Sequence, residues 1–311
     1  FEILFCVARA DDAAAPLVRR LIDEHPDVPA RLLIGDERVS GNPKLNNLVK
    51  GWAAARHDWI VMADSNVALP RDYLRQLVGC WTPGTGLVTS PAIGAGPVGV
   101  WASLECAFLN TYQARWQMVA DEIGQGFAQG KTLFWRRDIL ESGGGLAALG
   151  AELAEDVAAT KLVRRRGLKV RVAQAAFPQP LGRRRLAEVW RRQVRWARVR
   201  RQGFPMLYAP EVVTGGLAPA LIVAAMAASG AVPWMALPAV VVFWYGAEFL
   251  LAQQAGWPRT PVDVACWMLR DLLLPAVWVA GWAGSGFTWR GNAMAPEPAA
   301  PRRTAGAGSE R

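Results

Sequence analysis

Cysteine is scarce in this chain. The four present, Cys6, Cys80, Cys106 and Cys266, fall at no metal-ligand or redox spacing. This excludes a cysteine-built metal centre and a disulfide framework, and it fits a reduced compartment. Opposing charge is missing from one segment, where nine arginines lie between Arg183 and Arg201 with only Glu188 against them. Charge of either sign is missing from the 36 residues between Glu211 and Glu248 and from the 18 running from Leu272 to Trp289. A secretory signal pattern is also missing. The chain opens at Phe1 in an apolar run rather than at a methionine, so it reads as a sequence lacking its natural beginning.

The uncharged stretches carry the first positive conclusion. Helices of soluble proteins keep a polar stripe, and these segments have none. At about 1.5 Å per residue, the longer stretch exceeds one crossing of a hydrocarbon core about 30 Å thick. Divided at Gly230-Ala231-Val232-Pro233, it predicts membrane spans over 212–231 and 234–252, with a third near 268–288 that has Arg270 and Asp271 at its edge. The net charge of +9 could suggest nucleic acid. The arginines abut an apolar span, however, where anionic headgroups and the positive-inside rule favour them, so nucleic acid is not expected as a partner.

Before residue 183 the chain has the rhythm of an α/β domain. FEILFCVA, RLLIG, DWIVMA and GLVTS read as strands, with helices over 13–24, 44–56, 70–80 and 99–119. Such a rhythm predicts a mainly parallel sheet, whose strand ends line a ligand crevice. Asp11-Asp12 follow the first strand, Asp64-Ser65-Asn66 follow the third, and Glu155-Asp156 open the helix DVAATKLVRRR. Each acidic pair or turn can be read as a helix cap or as a group at the crevice. Carboxylates at three successive strand-to-helix junctions can converge, and together they favour a site. In WRRQVRW, helical spacing sets Arg192, Arg195 and Trp196 on one face, suited to gripping a phosphate; a cationic helix lying on a bilayer is the other reading.

Taken in order, Asp11-Asp12, NPKLNN (Asn42 to Asn47), DSN, AED (Ala154 to Asp156), RQVRW and TWRG (Thr288 to Gly291) resemble the ceramide glucosyltransferases, glycosyltransferase family 21 of the GT-A fold. The resemblance implies a GT-A catalytic domain over 1–182, mainly parallel, and a basic interfacial region over 183–210. A membrane domain of about three helices over 211–290 and a disordered tail over 291–311 follow. It implies transfer of a hexose, glucose first among them, from a UDP-sugar to a membrane lipid hydroxyl such as that of ceramide or diacylglycerol, with inversion. The expected location is a bacterial inner membrane, with the catalytic domain cytoplasmic.

Residue by residue, the family's three acid positions fall on Asp12, Asp64 and Asp156, and its basic signature on Arg192, Arg195 and Trp196. By motif position Asp156 is the catalytic base, and Asp12 contacts the nucleotide, with Asp11 able to substitute. Asp64 holds a divalent cation, Mg or Mn, and Arg195 helps neutralise the leaving diphosphate. Asn66 stands where many related transferases have a second carboxylate, so the metal would lean on diphosphate and water. Two alternatives remain: a processive polysaccharide synthase, which shares the signatures but needs more membrane helices, and a degenerate transferase retained as a scaffold.

Overall fold

The computed structural model describes residues 1–284, 286–289 and 292–294. The four expected strands are β1 (Ile3–Val7), β2 (Ala30–Ile34), β3 (Trp59–Ala63) and β4 (Thr85–Thr89). Four more follow: β5 (Ala92–Val98), β6 (Thr132–Arg136), β7 (Lys169–Val172) and β8 (Phe177–Arg183). β1 and β2 pair in parallel, as do β5 and β8. The central sheet has the order β3-β6-β4-β7, in which β7 is parallel to β4 while β6 runs antiparallel to both its neighbours. Helices Ala14–Glu24, Pro43–Ala54 and Tyr73–Gly79 lie where the periodicity predicts them. One core lies between the central sheet and its helices, built on Leu45, Met62, Leu87, Leu133, Trp135 and Leu162.

The helix expected over 99–119 is a composite. Val100–Phe108 and Arg115–Glu122 are α-helical, and Leu109–Ala114 between them is a π-helical turn. The widened turn has local causes. The Asn110 side chain accepts from the Gly94 amide (2.7 Å) and donates to the Gly94 carbonyl (3.0 Å), binding the turn to β5. Thr111 at the same turn accepts a hydrogen bond from Arg270.

Among the described residues two helices are long and apolar enough to cross a membrane, Ala236–Gln254 and Pro261–Trp282. The first expected span, 212–231, takes the form of a bent pair, Pro205–Val213 and Leu217–Ala228, which meet at 48° and qualify only together. The third span is displaced from its expected limits. It begins at Pro261, where Thr260 and Asp263 form a capping box, and Arg270 and Asp271 are therefore in its middle rather than at its edge. Hydropathy places charges at span ends; here both are fully buried and paired inside the protein, which removes the cost of lipid exposure.

A second core joins the two halves. Leu104, Phe108 and Tyr112 meet Val189 and Ala197 of the helix Leu186–Gly203 and Trp267, Leu274 and Val277 of the last membrane helix. The crevice described below is thereby fixed against the apolar helices. The arginines of Leu186–Gly203 divide their work. Arg200 pairs with Glu211 (2.8 Å), while Arg201 donates to the carbonyls of Trp282 and Gly284 and so caps the end of the last membrane helix. Residues 292–294, at the head of the expected tail, pair as a short strand with Phe287–Trp289. Residues 295–311, and Arg290 and Gly291 of the TWRG segment, lie outside the described residues.

Candidate active site

The site begins where β3 ends. Asp64 follows Ala63, and its amide donates to the Lys131 carbonyl (3.1 Å), continuing the β3/β6 pairing past Ala63 and Thr132. Asp64 and Lys131 are therefore neighbours across the strand ends, and Lys131 Nζ lies 2.8 Å from Asp64 Oδ2 and 2.8 Å from Asn66 Oδ1. The other carboxylate oxygen, Asp64 Oδ1, lies 2.7 Å from Lys44 Nζ. Burial works to raise the Asp64 pKa, but Lys44 and Lys131 together overcome it and hold the group below the usual carboxylate value.

Lys44 reaches this point from the first turn of the helix Pro43–Ala54. Asn42 caps that helix by accepting from the Lys44 amide (2.9 Å), and Pro43 sits at the first helical position. The same Asn42 donates to Glu155 Oε2 (2.9 Å), and Lys44 Nζ lies 2.8 Å from Glu155 Oε1. The NPKLNN segment thus joins the β3 turn to the Glu155-Asp156 pair. Gly130 makes the close approach possible, since a Cβ there would lie 2.6 Å from Glu155 Oε1.

Asp156 accepts from the amides of Gly130 (3.0 Å) and Val157 (2.8 Å). Burial, and then the neighbouring Glu155 carboxylate, push its pKa up to about 7 against the opposing pull of Lys44 and the two amides. One sequence expectation needs correcting here. Glu155-Asp156 do not follow a strand: the short helix Gly145–Leu149 and a loop precede them. The pair reaches the crevice through Lys44 and Gly130, not by standing at the end of a sheet strand.

The basic signature comes from the helix Leu186–Gly203. Arg192 turns inward, 2.5 Å from Glu105 Oε1, hydrogen-bonded to Gln179 (3.0 Å) and lying over the Trp196 ring at 4.6 Å. Arg195, half-buried, has no hydrogen-bond or ion-pair partner among the described residues; burial and then the adjacent Arg192 lower its pKa. Asp12 is exposed and accepts from the Ala14 amide (2.9 Å), a local turn bond, while Asp11 pairs with Arg9. An open cavity of about 2950 Å³ is lined by Asp12, Asp64, Lys131, Asp156, Arg192, Arg195 and Trp196. Lys44 bridges Asp64 to Glu155, whereas no hydrogen bond or ion pair among the described residues joins Asp12 to either.

These donors do not fit a divalent cation. Both oxygens of Asp64 are already held by ammonium groups, and Asn66 Oδ1 accepts from one of them. Among the described residues no cluster of three or more His, Cys, Asp or Glu side chains could hold a metal. A dication would have to displace a lysine while lying close to another positive charge. Sequence reasoning missed Lys131, which sits in an unremarked GKTLFW segment, assigned no role to Lys44 in the quoted NPKLNN motif, and read Glu155 only as part of an acidic pair at a helix start or crevice.

Fold and site define an α/β domain whose polar crevice is fixed against apolar helices. The chain belongs to glycosyl transferase family 21, whose family model matches residues 1–298. It is similar to ceramide glucosyltransferase 1 of Caenorhabditis elegans, at 26% identity over 302 residues, covering 94% of this chain and 64% of the relative. Ceramide glucosyltransferase 3 of the same organism is 23% identical over 301 residues, with 94% and 65% covered. A ceramide glucosyltransferase of Komagataella phaffii is 41% identical over 71 residues, covering 22% of this chain and 14% of the relative. The chain thus spans a little under two thirds of the length of the two nematode proteins.

Proposed function

We propose that this protein transfers a hexose, glucose first among the candidates, from a UDP-sugar to the hydroxyl of a membrane lipid such as ceramide or diacylglycerol. One observation carries the reading. A carboxyl group whose pKa burial pushes up to about 7, Asp156, and a guanidinium with no partner among the described residues, Arg195, line one cavity in a domain packed onto helices apolar enough to cross a membrane. Family membership and the printed names of the relatives support the lipid acceptor.

The acceptor oxygen attacks the anomeric carbon as the bond from that carbon to the diphosphate oxygen breaks, which inverts the centre. The bonding pair leaves with UDP, and the acceptor proton passes to Asp156. A base with a pKa of about 7 is matched to that task, and the Gly130 and Val157 amides fix the orientation of its carboxylate. Arg195 meets the charge developing on the diphosphate, where a guanidinium in a partly dry site acts strongly. Lys44, Glu155 and Arg192 are positioning residues, each already committed to a protein partner. Asp12, at the β1 end of the cavity, is assigned to the nucleoside. The arginine-rich helix and the membrane helices support a cytoplasmic active site at a bacterial inner membrane.

The test is to incubate membranes containing the full-length protein with labelled UDP-glucose and either ceramide or diacylglycerol. Labelled glycolipid is expected, and the Asp156→Asn protein should yield almost none. Full activity in that variant would remove Asp156 as the base, and absence of glycolipid from the native protein with every lipid offered would remove the reading.

A further inference from the structure

We propose that Lys131 is a diphosphate-binding residue standing in place of a divalent cation, so that this protein holds its sugar nucleotide without metal. The proposal rests on the sugar-nucleotide reading given above and adds the group that binds the phosphates.

The argument is a count of donors. An ammonium group has three N–H bonds to give. Lys44 gives all three, to Asp64 Oδ1, Glu155 Oε1 and the Gly130 carbonyl. It is saturated and holds the site together. Lys131 gives two, to Asp64 Oδ2 and Asn66 Oδ1, and among the described residues its third N–H has no partner. The β3/β6 register sets Lys131 across from Asp64 at the cavity wall, which it lines together with Arg195.

Charge points the same way. Lys44 and Lys131 face the two carboxylates of Asp64 and Glu155, so that cluster is balanced, whereas Arg195 has no ion-pair partner among the described residues and leaves a surplus positive charge on the cavity wall. Asn66 orients Lys131 without adding negative charge, because its amide oxygen is neutral. The surplus opposes a dication and attracts an anion. Lys131 and Arg195, two cations on one cavity with donors unused among the described residues, suit the two phosphates of a nucleoside diphosphate.

The experiment is equilibrium binding of UDP to the purified full-length protein in lipid nanodiscs, in EDTA and in excess Mg²⁺, alongside glycolipid formation in both buffers. The native protein should bind UDP within about twofold of the same affinity in each. Lys131→Gln should bind about tenfold more weakly in EDTA, and Lys131→Arg should recover most of that loss. Asn66→Asp, a change at an exposed position, should weaken binding in EDTA and regain it in Mg²⁺, because the added carboxylate cancels the surplus charge and supplies a metal ligand. A native protein that binds UDP only with Mg²⁺ overturns the proposal and leaves the transferase reading standing. So does a folded Lys131→Gln protein that binds UDP as tightly as the native one. A native protein that binds UDP in neither buffer and forms no glycolipid overturns both.

Discussion

A cluster of buried charge at the crevice and another among the apolar helices differ in whether their donors are used up. In the helical cluster Arg270 gives all five N–H bonds. Nε donates to Asp271, Nη1 to Ala107 and Thr111, and Nη2 to both oxygens of Glu248. Glu248 also accepts from Arg115 and Trp244, and Asp271 from the Gly216 amide and the Tyr245 hydroxyl. Two arginines face two carboxylates, so the charge closes as well as the hydrogen bonds. In the crevice Lys131 and Arg195 keep donors free among the described residues, and Asp156 sits beside another carboxylate. A saturated network makes structure, and an unsaturated one can receive a ligand.

The sharpest way to break this contrast is to open the closed cluster. Arg270→Met leaves Asp271 buried without its cation and Glu248 with Arg115 alone, and should cost about 3–5 kcal/mol, the range for breaking a buried ion pair. Thermal unfolding of the purified protein should reveal loss of the folded state, with activity falling only as the fold does. The opposite is expected at the crevice. Asp156→Asn should lower kcat about a thousandfold while the fold persists.

The Asp156 contrast extends to pH. Transfer should rise with pH through about 7 as the base ionises. Because the folded pKa lies above that of an unfolded aspartate, the stability this group contributes is complete below about pH 4 and lost as pH rises through about 7. The Asn variant should therefore unfold at a higher temperature than the native protein at pH 8, and the gap should narrow toward pH 5. An unchanged gap would place Asp156 in an ordinary solvated environment.

Two smaller changes sharpen the picture. Gly130→Ala would drive a methyl into Glu155 and should cost about 2 kcal/mol, with a larger loss of transfer than of stability because Lys44 and Asp156 shift with it. Asp12→Ala removes one local turn bond and should cost about 0.5–1 kcal/mol in unfolding experiments. UDP binding by the same variant tests whether that exposed carboxylate does more than turn the chain.

Much of this was legible from local pattern. The strands at DWIVMA and GLVTS, the helices between them and the apolar second span follow from period and hydropathy, which act over a few residues. β6 was not legible, since TLFW gives no sign that it will insert antiparallel between β3 and β4. Lys131 was hidden for the same reason, its role depending on which residue of another strand lies opposite. Arg270 and Asp271 read as charges at the edge of a span because hydropathy has no means of registering a partner more than a hundred positions away, such as Thr111.

The sequence by itself determined the α/β rhythm, the apolar helices and the acidic and basic groups available, since each depends on neighbours along the chain. Only the tertiary structure decided which charges are spent. Among the described residues Lys44 and Arg270 are saturated while Lys131 and Arg195 keep free donors, because the number of partners a side chain meets is set by contacts between segments far apart in sequence.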